Sequence, residues 1–257
     1  MSDEILVEDM NDILYVTLNR PELRNPLSDL VLDRLVQING NIRQGLRAVV
    51  LRGAGGIFCA GGDIKQFQSA LQGAPAEEIA RYNRRYGDIL RRLNEIPIPV
   101  ISAVEGAAIG GGMGLVAIAD ITIAERNAKF ALTETKLGLP PAQICAFVVD
   151  RIGAHNARRL MLTAARFGAE EAARIGLVDE VTDDVDAAIN AILGSISLCG
   201  PNANAMTKQL VAATQKMPVD ELLNYAAEMF ADAMLSAEAK EGVQSFIDRR
   251  KPVWAEQ

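Results

Sequence analysis

The chain has 257 residues, a formal net charge of −7 and 49% hydrophobic residues, which is enough apolar material for one large core with an appendage. The acidic balance argues against a nucleic-acid-binding protein, which would present a basic face. Three cysteines without a CxxC spacing disfavour a disulfide framework and a zinc site. The sequence shows neither a signal-peptide pattern nor a membrane-spanning run, so we expect a cytoplasmic protein without a membrane partner.

Short apolar runs alternate with helical spacings through most of the chain. In chain order, the sequence predicts a strand at 13–18, a helix at 27–42, a strand at 48–52, a helix at 76–93, a strand at 100–104, a helix at 112–119, strands at 121–124 and 130–132, helices at 155–164 and 169–175, and a strand at 177–181. Strands that alternate with helices indicate an α/β fold.

The pattern changes after Gly200-Pro201. Residues 203–248 are nearly all helix formers, so we predict a core at 1–199 and a helical C-terminal region at 200–257. This region carries an apolar stripe at helical spacings, made of Leu222, Leu223, Ala226, Met229, Phe230 and Ala233. The stripe either packs on the core or meets another subunit.

Two glycine-rich turns each follow an apolar run, FCAGGDIK at 58–65 and GAAIGGG at 106–112. Neither has the spacing of a dinucleotide-binding or P-loop motif. Glycine lets backbone approach a ligand closely and leaves amide N–H groups open. The two turns can therefore aim one N–H each at a single oxygen, as in an oxyanion hole; the alternative is tight packing of strands on helices.

Glu134 lies in an apolar strand-turn region, where desolvation would raise its pKa towards the range useful for proton transfer. The alternative is a surface residue paired with Lys136. For Asp63, capping of a helix that begins near Ile64 is favoured over catalysis.

The sequence gives little support to a histidine- or cysteine-based nucleophilic mechanism. His155 has no serine or cysteine nucleophile in a recognisable elbow nearby, which disfavours a Ser-His-Asp hydrolase. Cys145 could be a nucleophile, but a buried inert thiol is the favoured reading.

Five blocks in order resemble the enoyl-CoA hydratase/isomerase (crotonase) superfamily, over nearly the whole chain. They are LNRPELRNPL at 18–27, FCAGGDIK at 58–65, GAAIGGG at 106–112, GPNA with Lys208 in 200–208, and FIDRRKPVW at 246–254. The resemblance implies a crotonase-like ββα spiral with a C-terminal helical region that forms homotrimers, or hexamers as dimers of trimers. It also implies an acyl-CoA thioester substrate, with coenzyme A as part of that substrate and no further cofactor or metal.

The resemblance assigns roles to particular residues. The oxyanion donors would be the N–H groups of Ala60 and Gly111, and Glu134 would be a catalytic acid. The residues of the CoA groove would be Arg24, Ala60, Gly61, Gly62, Asp63, Ile64 and Gly111. Hydratases of the family carry two glutamates, and the position of the other one is occupied here by Gly114.

With one acid, several activities stay open. Glu134 could activate water alone or with a polar neighbour such as Gln143, or it could move one proton between carbons as a Δ3-Δ2 enoyl-CoA isomerase. An acyl-CoA decarboxylase and a non-catalytic CoA-ester-binding subunit are further alternatives. Residues 110–115 and 133–144 are similar to the methylglutaconyl-CoA and isohexenylglutaconyl-CoA hydratases, which favours hydration of a branched or carboxylated 2-enoyl-CoA.

Overall fold

The computed structural model describes residues 3–40 and 42–255, which form nine strands and ten helices. The strands are β1 (Ile5–Met10), β2 (Ile13–Leu18), β3 (Ala48–Gly53), β4 (Val100–Val104), β5 (Ala107–Ile109), β6 (Ile121–Glu125), β7 (Lys129–Ala131), β8 (Phe167–Gly168) and β9 (Glu180–Thr182). The helices are α1 (Asp29–Gly40), α2 (Ile64–Ala70), α3 (Ala76–Asn94), α4 (Gly111–Ala117), α5 (Cys145–Thr163), α6 (Ala169–Arg174), α7 (Val185–Ser197), α8 (Pro201–Ala213), α9 (Val219–Leu235) and α10 (Ala237–Ile247). The α/β prediction is therefore confirmed.

A six-stranded sheet with the order β1-β2-β3-β4-β6-β9 forms the larger layer of strands. Only β1 and β2 are antiparallel within it. They are joined at Asn11 and Asp12, whose φ angles of 51° and 62° suit a two-residue hairpin with left-handed central positions. The central strands β3 and β4 are buried along almost their whole length, as expected for parallel strands that are covered on both faces.

A smaller sheet with the order β5-β7-β8 brings the second glycine-rich turn next to the chain that leads to Glu134. β5 and β7 pair in parallel, and the N–H of Gly110, just after β5, donates to the carbonyl of Ala131 at the end of β7 (2.9 Å). The first turn joins the same assembly, because Cys59 exchanges backbone hydrogen bonds with Ala107 and Ile109 (2.9 Å each). Strand pairing thus holds both turns and the start of the Glu134 segment together.

The described chain divides into two compact units. One contains the residues up to Ile96 together with Val100–Ile189, and the other contains Pro97–Pro99 and the chain from Asn190 onwards. This division falls ten residues before the predicted boundary between 199 and 200, within α7, which continues without a break from Val185 to Ser197.

The second unit is helical, as predicted. At the start of α8, the carboxylate of Glu238 accepts hydrogen bonds from the N–H groups of Asn202 (3.0 Å) and Ala203 (2.8 Å). In the predicted apolar stripe, Leu223 and Phe230 remain 62% and 68% exposed. None of the helices in the described parts of the chain has the length and apolar character needed to cross a bilayer.

Some element limits differ from the sequence prediction. Helix α5 begins at Cys145 instead of residue 155, because the chain continues as helix on both sides of Gly153, which itself has φ 74° and ψ 154°. The strand expected at 177–181 forms only from Glu180 onwards, as β9. β1 was not predicted, and it pairs with β2 along its whole length.

Candidate active site

The two glycine-rich turns touch each other through backbone atoms. Gly61 has φ +97°, and a Cβ added there would lie 2.9 Å from the carbonyl oxygen of Ile109 and 3.4 Å from the nitrogen of Gly111. A side chain at Gly61 would therefore suffer both an unfavourable backbone conformation and a clash with the second turn. Glycine at this position is what allows the two turns to lie side by side.

The structure corrects the prediction that Ala60 supplies a free N–H. The Ala60 N–H donates to the carbonyl of Arg24 at 2.9 Å, so it is already used in holding the turn to the preceding loop. The N–H of Gly62, two residues later, has no hydrogen-bond partner among the described residues. The Gly62 nitrogen also lies close to the second turn, 3.7 Å from where a Cβ on Gly111 would be.

The N–H of Gly111, the other donor expected from the resemblance, has no partner among the described residues. Gly111 is the first residue of α4, where backbone N–H groups have no partner within the helix. The open donors of this site are therefore Gly62 and Gly111. They belong to adjacent turns, so an oxygen between them could accept from both.

Glu134 lies beside these donors. It begins a 3₁₀ turn at Glu134–Leu137, and its Oε1 lies 3.2 Å from where a Cβ on Gly110 would be. Its Oε2 is buried and has no hydrogen-bond partner in the described structure. No ion pair forms between Glu134 and Lys136 within the residues described, which removes the surface-pair alternative. Burial raises the pKa of the Glu134 carboxyl above its ordinary 4.5, so the carboxyl holds its proton more tightly than an exposed one.

Replacing Glu134 with Gln is expected to stabilise the fold at neutral pH. A raised pKa in the folded state means that the charged form costs stability above that pKa, and a neutral amide removes this cost. We therefore expect the variant to melt at a higher temperature than the wild type at pH 7. The gain should shrink as the pH falls through the raised folded-state pKa and disappear below 4.5, where the wild-type carboxyl is mostly protonated in both states.

Scanning calorimetry at several pH values measures this difference, with the exposed Glu180 replaced by Gln as the control. A Glu134→Gln protein that melts below the wild type at pH 7 would show that Glu134 makes stabilising contacts that the structure does not contain.

Position 114 has no room for a second acid. A Cβ added to Gly114 would lie 2.7 Å from Cγ2 of Ile144, 2.9 Å from Cδ1 of Leu90 and 3.0 Å from the hydroxyl of Tyr86. A glutamate at position 114 would not fit in this structure, because the side chains of Ile144, Leu90 and Tyr86 fill the space that it would need.

Tyr86 is a site residue that sequence reasoning missed. It lies on α3, and its hydroxyl donates to the carbonyl of Gly111 at 2.5 Å. Burial raises the pKa of Tyr86 well above 10, with a further contribution from the nearby Glu134 charge. The only available signal was its place on the predicted helix at 76–93, one turn before the buried Leu90, and nothing in that spacing distinguishes it from a core aromatic residue.

The polar helper suggested by the sequence, Gln143, is directed towards α3. Its Nε2 donates to Oδ1 of Asn83 at 2.7 Å, and its Oε1 lies 2.1 Å from where a Cβ on Gly87 would be. The polar group next to position 114 is therefore the hydroxyl of Tyr86, and the Gln143 amide is engaged at Asn83.

The other predicted groove residues lie around the outer face of the first turn. Asp63 accepts the N–H of Lys65 at 2.9 Å, which confirms the predicted cap of α2. Ile64 is 60% exposed, and the exposed guanidinium of Arg24 contacts no described hydrogen-bonding or acidic partner. An exposed apolar side chain and an uncommitted cation suit a ligand with apolar and phosphate parts.

Cys145, the candidate nucleophile of the sequence, is half-buried at the start of α5 and is therefore not the fully buried thiol that was expected. The thiol within the first glycine-rich turn belongs to Cys59. Cys59 is fully buried, and burial raises the pKa of its thiol to about 12, so it is not a thiolate at neutral pH. His155 is exposed on α5. Among the described residues, no group of three or more His, Cys, Asp or Glu side chains is placed to hold a metal ion.

Comparisons with known proteins show similarity over nearly the whole chain. Residues 8–257 match a family model described as enoyl-CoA hydratase/isomerase. A probable enoyl-CoA hydratase of Rhodobacter capsulatus is 34% identical over 93% of both chains. Among solved structures, Pseudomonas aeruginosa AtuE has a TM-score of 0.95 and 44% identity, over 98% of this chain and 99% of its own. An enoyl-CoA hydratase/isomerase from Marinobacter aquaeolei has a TM-score of 0.94 and 40% identity, with the same coverage.

Proposed function

Because the chain belongs to the enoyl-CoA hydratase/isomerase family, we propose that it hydrates the C2–C3 double bond of a 2-enoyl-CoA. The observation that carries this proposal is the buried, unpartnered Oε2 of Glu134 beside two open backbone donors. A carboxylate whose pKa is raised by burial is a stronger base than an exposed one, which suits it to take a proton from water and return it. Adjacent N–H groups stabilise the negative charge that develops on a thioester oxygen.

The reaction uses each of these groups. The thioester oxygen accepts from the N–H groups of Gly62 and Gly111. Water attacks C3 and gives one proton to Glu134, while the electrons of the double bond move to C2 and the thioester oxygen. The enolate then takes that proton from Glu134 at C2. One water is added in total, and Glu134 ends in the state in which it began.

The groove for coenzyme A is proposed along the first turn. We assign Arg24 to a phosphate group of coenzyme A. We assign the turn formed by Ala60, Gly61, Gly62, Asp63 and Ile64, in which Ile64 is exposed and Gly61 is buried, to the pantetheine chain. Coenzyme A enters as part of the substrate, and the proposed steps need no other cofactor. A homotrimer, or a hexamer as a dimer of trimers, would cover exposed apolar side chains of the C-terminal helices such as Phe230 and Leu235.

Isomerisation is the second candidate, and the filled space at Gly114 favours it. Moving a double bond between C3–C4 and C2–C3 needs one base and an oxyanion hole, and no attacking water. Glu134 with the two N–H groups would be sufficient for this reaction. Decarboxylation of an acyl-CoA would use the same enolate.

Product mass separates these activities. The purified protein is incubated with a panel of 2-enoyl-CoA and 3-enoyl-CoA esters, branched and carboxylated ones included. Hydration predicts a product heavier by one water and loss of the enone absorbance. An unchanged mass with a shifted double bond would establish isomerisation, and loss of carbon dioxide would establish decarboxylation. Binding of the esters without any turnover would indicate a CoA-ester-binding subunit.

A further inference from the structure

Tyr86 lies at the point where the second carboxylate would be needed. Its hydroxyl lies 3.0 Å from where a Cβ on Gly114 would be, and its Cε1 lies 3.6 Å from where a Cβ on Gly111 would be. The side chain therefore covers the first turn of α4, whose N-terminal residue provides one of the two open N–H groups. Glu134 and Tyr86 meet the same stretch of backbone, since Glu134 Oε1 lies 3.2 Å from where a Cβ on Gly110 would be and the Tyr86 hydroxyl bonds to the next residue, Gly111.

The hydrogen bond that Tyr86 donates leaves its oxygen able to act only as an acceptor towards another molecule. A phenolic hydroxyl has one proton and oxygen lone pairs. The proton is committed to the carbonyl of Gly111, so the lone pairs are what remains for another molecule. A group that presents only lone pairs can accept from water, as a carboxylate does, without taking the proton away.

A water between Tyr86 and Glu134 would then have an acceptor for each of its two protons. Glu134 Oε2 has no other partner in the described structure, and the Tyr86 oxygen has its lone pairs open. This arrangement directs the oxygen lone pair of the water away from both acceptors. A single carboxylate placed beside a fixed hydroxyl could therefore hold an attacking water in one orientation.

We infer that Tyr86 is a further catalytic residue, whose hydroxyl oxygen accepts a hydrogen bond from the water that attacks C3. This inference rests on the proposed hydration. The proton that moves is still the one between water and Glu134, and the water proton bonded to Tyr86 stays on the new C3 hydroxyl group. Tyr86 begins and ends the reaction protonated, with its own proton on the Gly111 carbonyl.

A simpler role would be to orient the oxyanion hole through Gly111. The two roles differ in which reactions they affect. Exchange of the C2 protons of a saturated acyl-CoA with D₂O needs Glu134 and the N–H groups of Gly62 and Gly111, but no attacking water. Hydration needs all of these and the held water as well.

The test is Tyr86→Phe, which keeps the ring against Gly111 and removes the hydroxyl. Hydration of the best 2-enoyl-CoA and C2 deuterium exchange of the matching saturated acyl-CoA are both followed by mass spectrometry. We expect kcat for hydration to fall about tenfold to a hundredfold, the range for losing one buried hydrogen-bonding group. The exchange rate should change by less than about threefold, within the usual scatter of single substitutions.

Tyr82→Phe is the matched control, because Tyr82 lies one turn earlier on α3 and its hydroxyl bonds to Gln66 instead of Gly111. It should leave both rates unchanged. If Tyr86→Phe does not fold, 3-fluorotyrosine at all tyrosines keeps the hydroxyl and weakens its oxygen as an acceptor. In that protein, hydration should fall more than exchange.

The outcomes distinguish the inference from the proposed function. Unchanged hydration in Tyr86→Phe would overturn the role of Tyr86, and so would an equal loss of hydration and exchange, because that result assigns Tyr86 to the oxyanion hole alone. Equal effects of 3-fluorotyrosine on both rates would also overturn it. A wild-type protein that exchanges C2 protons but hydrates no ester in the panel would instead overturn the proposed hydration itself.

Discussion

Replacing Glu134 with Gln is expected to lower kcat by about 10²- to 10⁴-fold while acyl-CoA binding survives. The range is that of a lost general acid–base group. Gln keeps the size of the side chain and cannot take a proton from water or return one to C2. The thioester would still meet the N–H groups of Gly62 and Gly111, so the dissociation constant of a saturated acyl-CoA should stay within about threefold of wild type.

Steady-state kinetics measure kcat, and calorimetric titration of the same preparations measures the dissociation constant of the saturated acyl-CoA. Glu180→Gln is the control, since it makes the same chemical change at an exposed position on β9. Turnover that stays at the wild-type level in Glu134→Gln would remove Glu134 from the mechanism. Lost turnover together with lost acyl-CoA binding would show that Glu134 holds the substrate instead of moving a proton.

Replacing Gly62 with Pro is expected to lower kcat/KM by about 10²- to 10³-fold or more, the loss measured for one oxyanion donor in other enzymes. Proline deletes the N–H and places its ring where that N–H pointed, so the thioester oxygen loses a donor and part of its space. The native N–H has no partner among the described residues, so its loss breaks no hydrogen bond of the fold. The melting temperature should therefore change less than the activity.

Ala60→Pro provides the opposite comparison. The Ala60 N–H is bonded to the Arg24 carbonyl, so this change should lower the melting temperature and leave both open donors in place. Activity per folded molecule should remain measurable in Ala60→Pro and be nearly lost in Gly62→Pro. If Ala60→Pro loses activity and Gly62→Pro keeps it, the oxyanion donor is Ala60, as the resemblance had implied.

The sequence predicted the parts of the site that depend on residue type. Glycine-rich turns after apolar strands indicated close backbone approach, and Glu134 in an apolar segment indicated a raised pKa. Both features follow from local chemistry, and the structure contains both. The strands that precede the turns were predicted for the same reason, since β3 begins with the apolar run at 48–51 and β4 is apolar except for Ser102.

The direction of each N–H could not be predicted in this way. In a regular extended segment the N–H groups of residues 60 and 62 would point to the same side. Gly61 between them has φ +97° and breaks that regularity, so only the observed partners show which N–H is left open to the site. The Arg24 carbonyl takes the Ala60 N–H, and Leu27 donates to the Gly61 carbonyl at 2.8 Å. Those bonds come from a loop more than 30 residues earlier in the chain and leave the Gly62 N–H as the open group.

Tyr86 was missed for a related reason. It is separated from Gly111 by 25 residues, and the contact exists only because α3 packs near the start of α4. A single sequence shows that Gly114 lacks an acid, but it does not show which side chains fill the space around it. Ile144, Leu90 and Tyr86 converge there from α3 and the segment before α5.

The most direct test of the central claim is a crystal structure of the protein with a bound, non-reacting acyl-CoA. We expect the thioester oxygen within about 3 Å of both the Gly62 and the Gly111 nitrogen, which is the spacing of an oxyanion hole. The carboxylate of Glu134 should face C2 and C3. A thioester oxygen bonded to neither nitrogen, or a different carboxylate facing C2 and C3, would contradict the account.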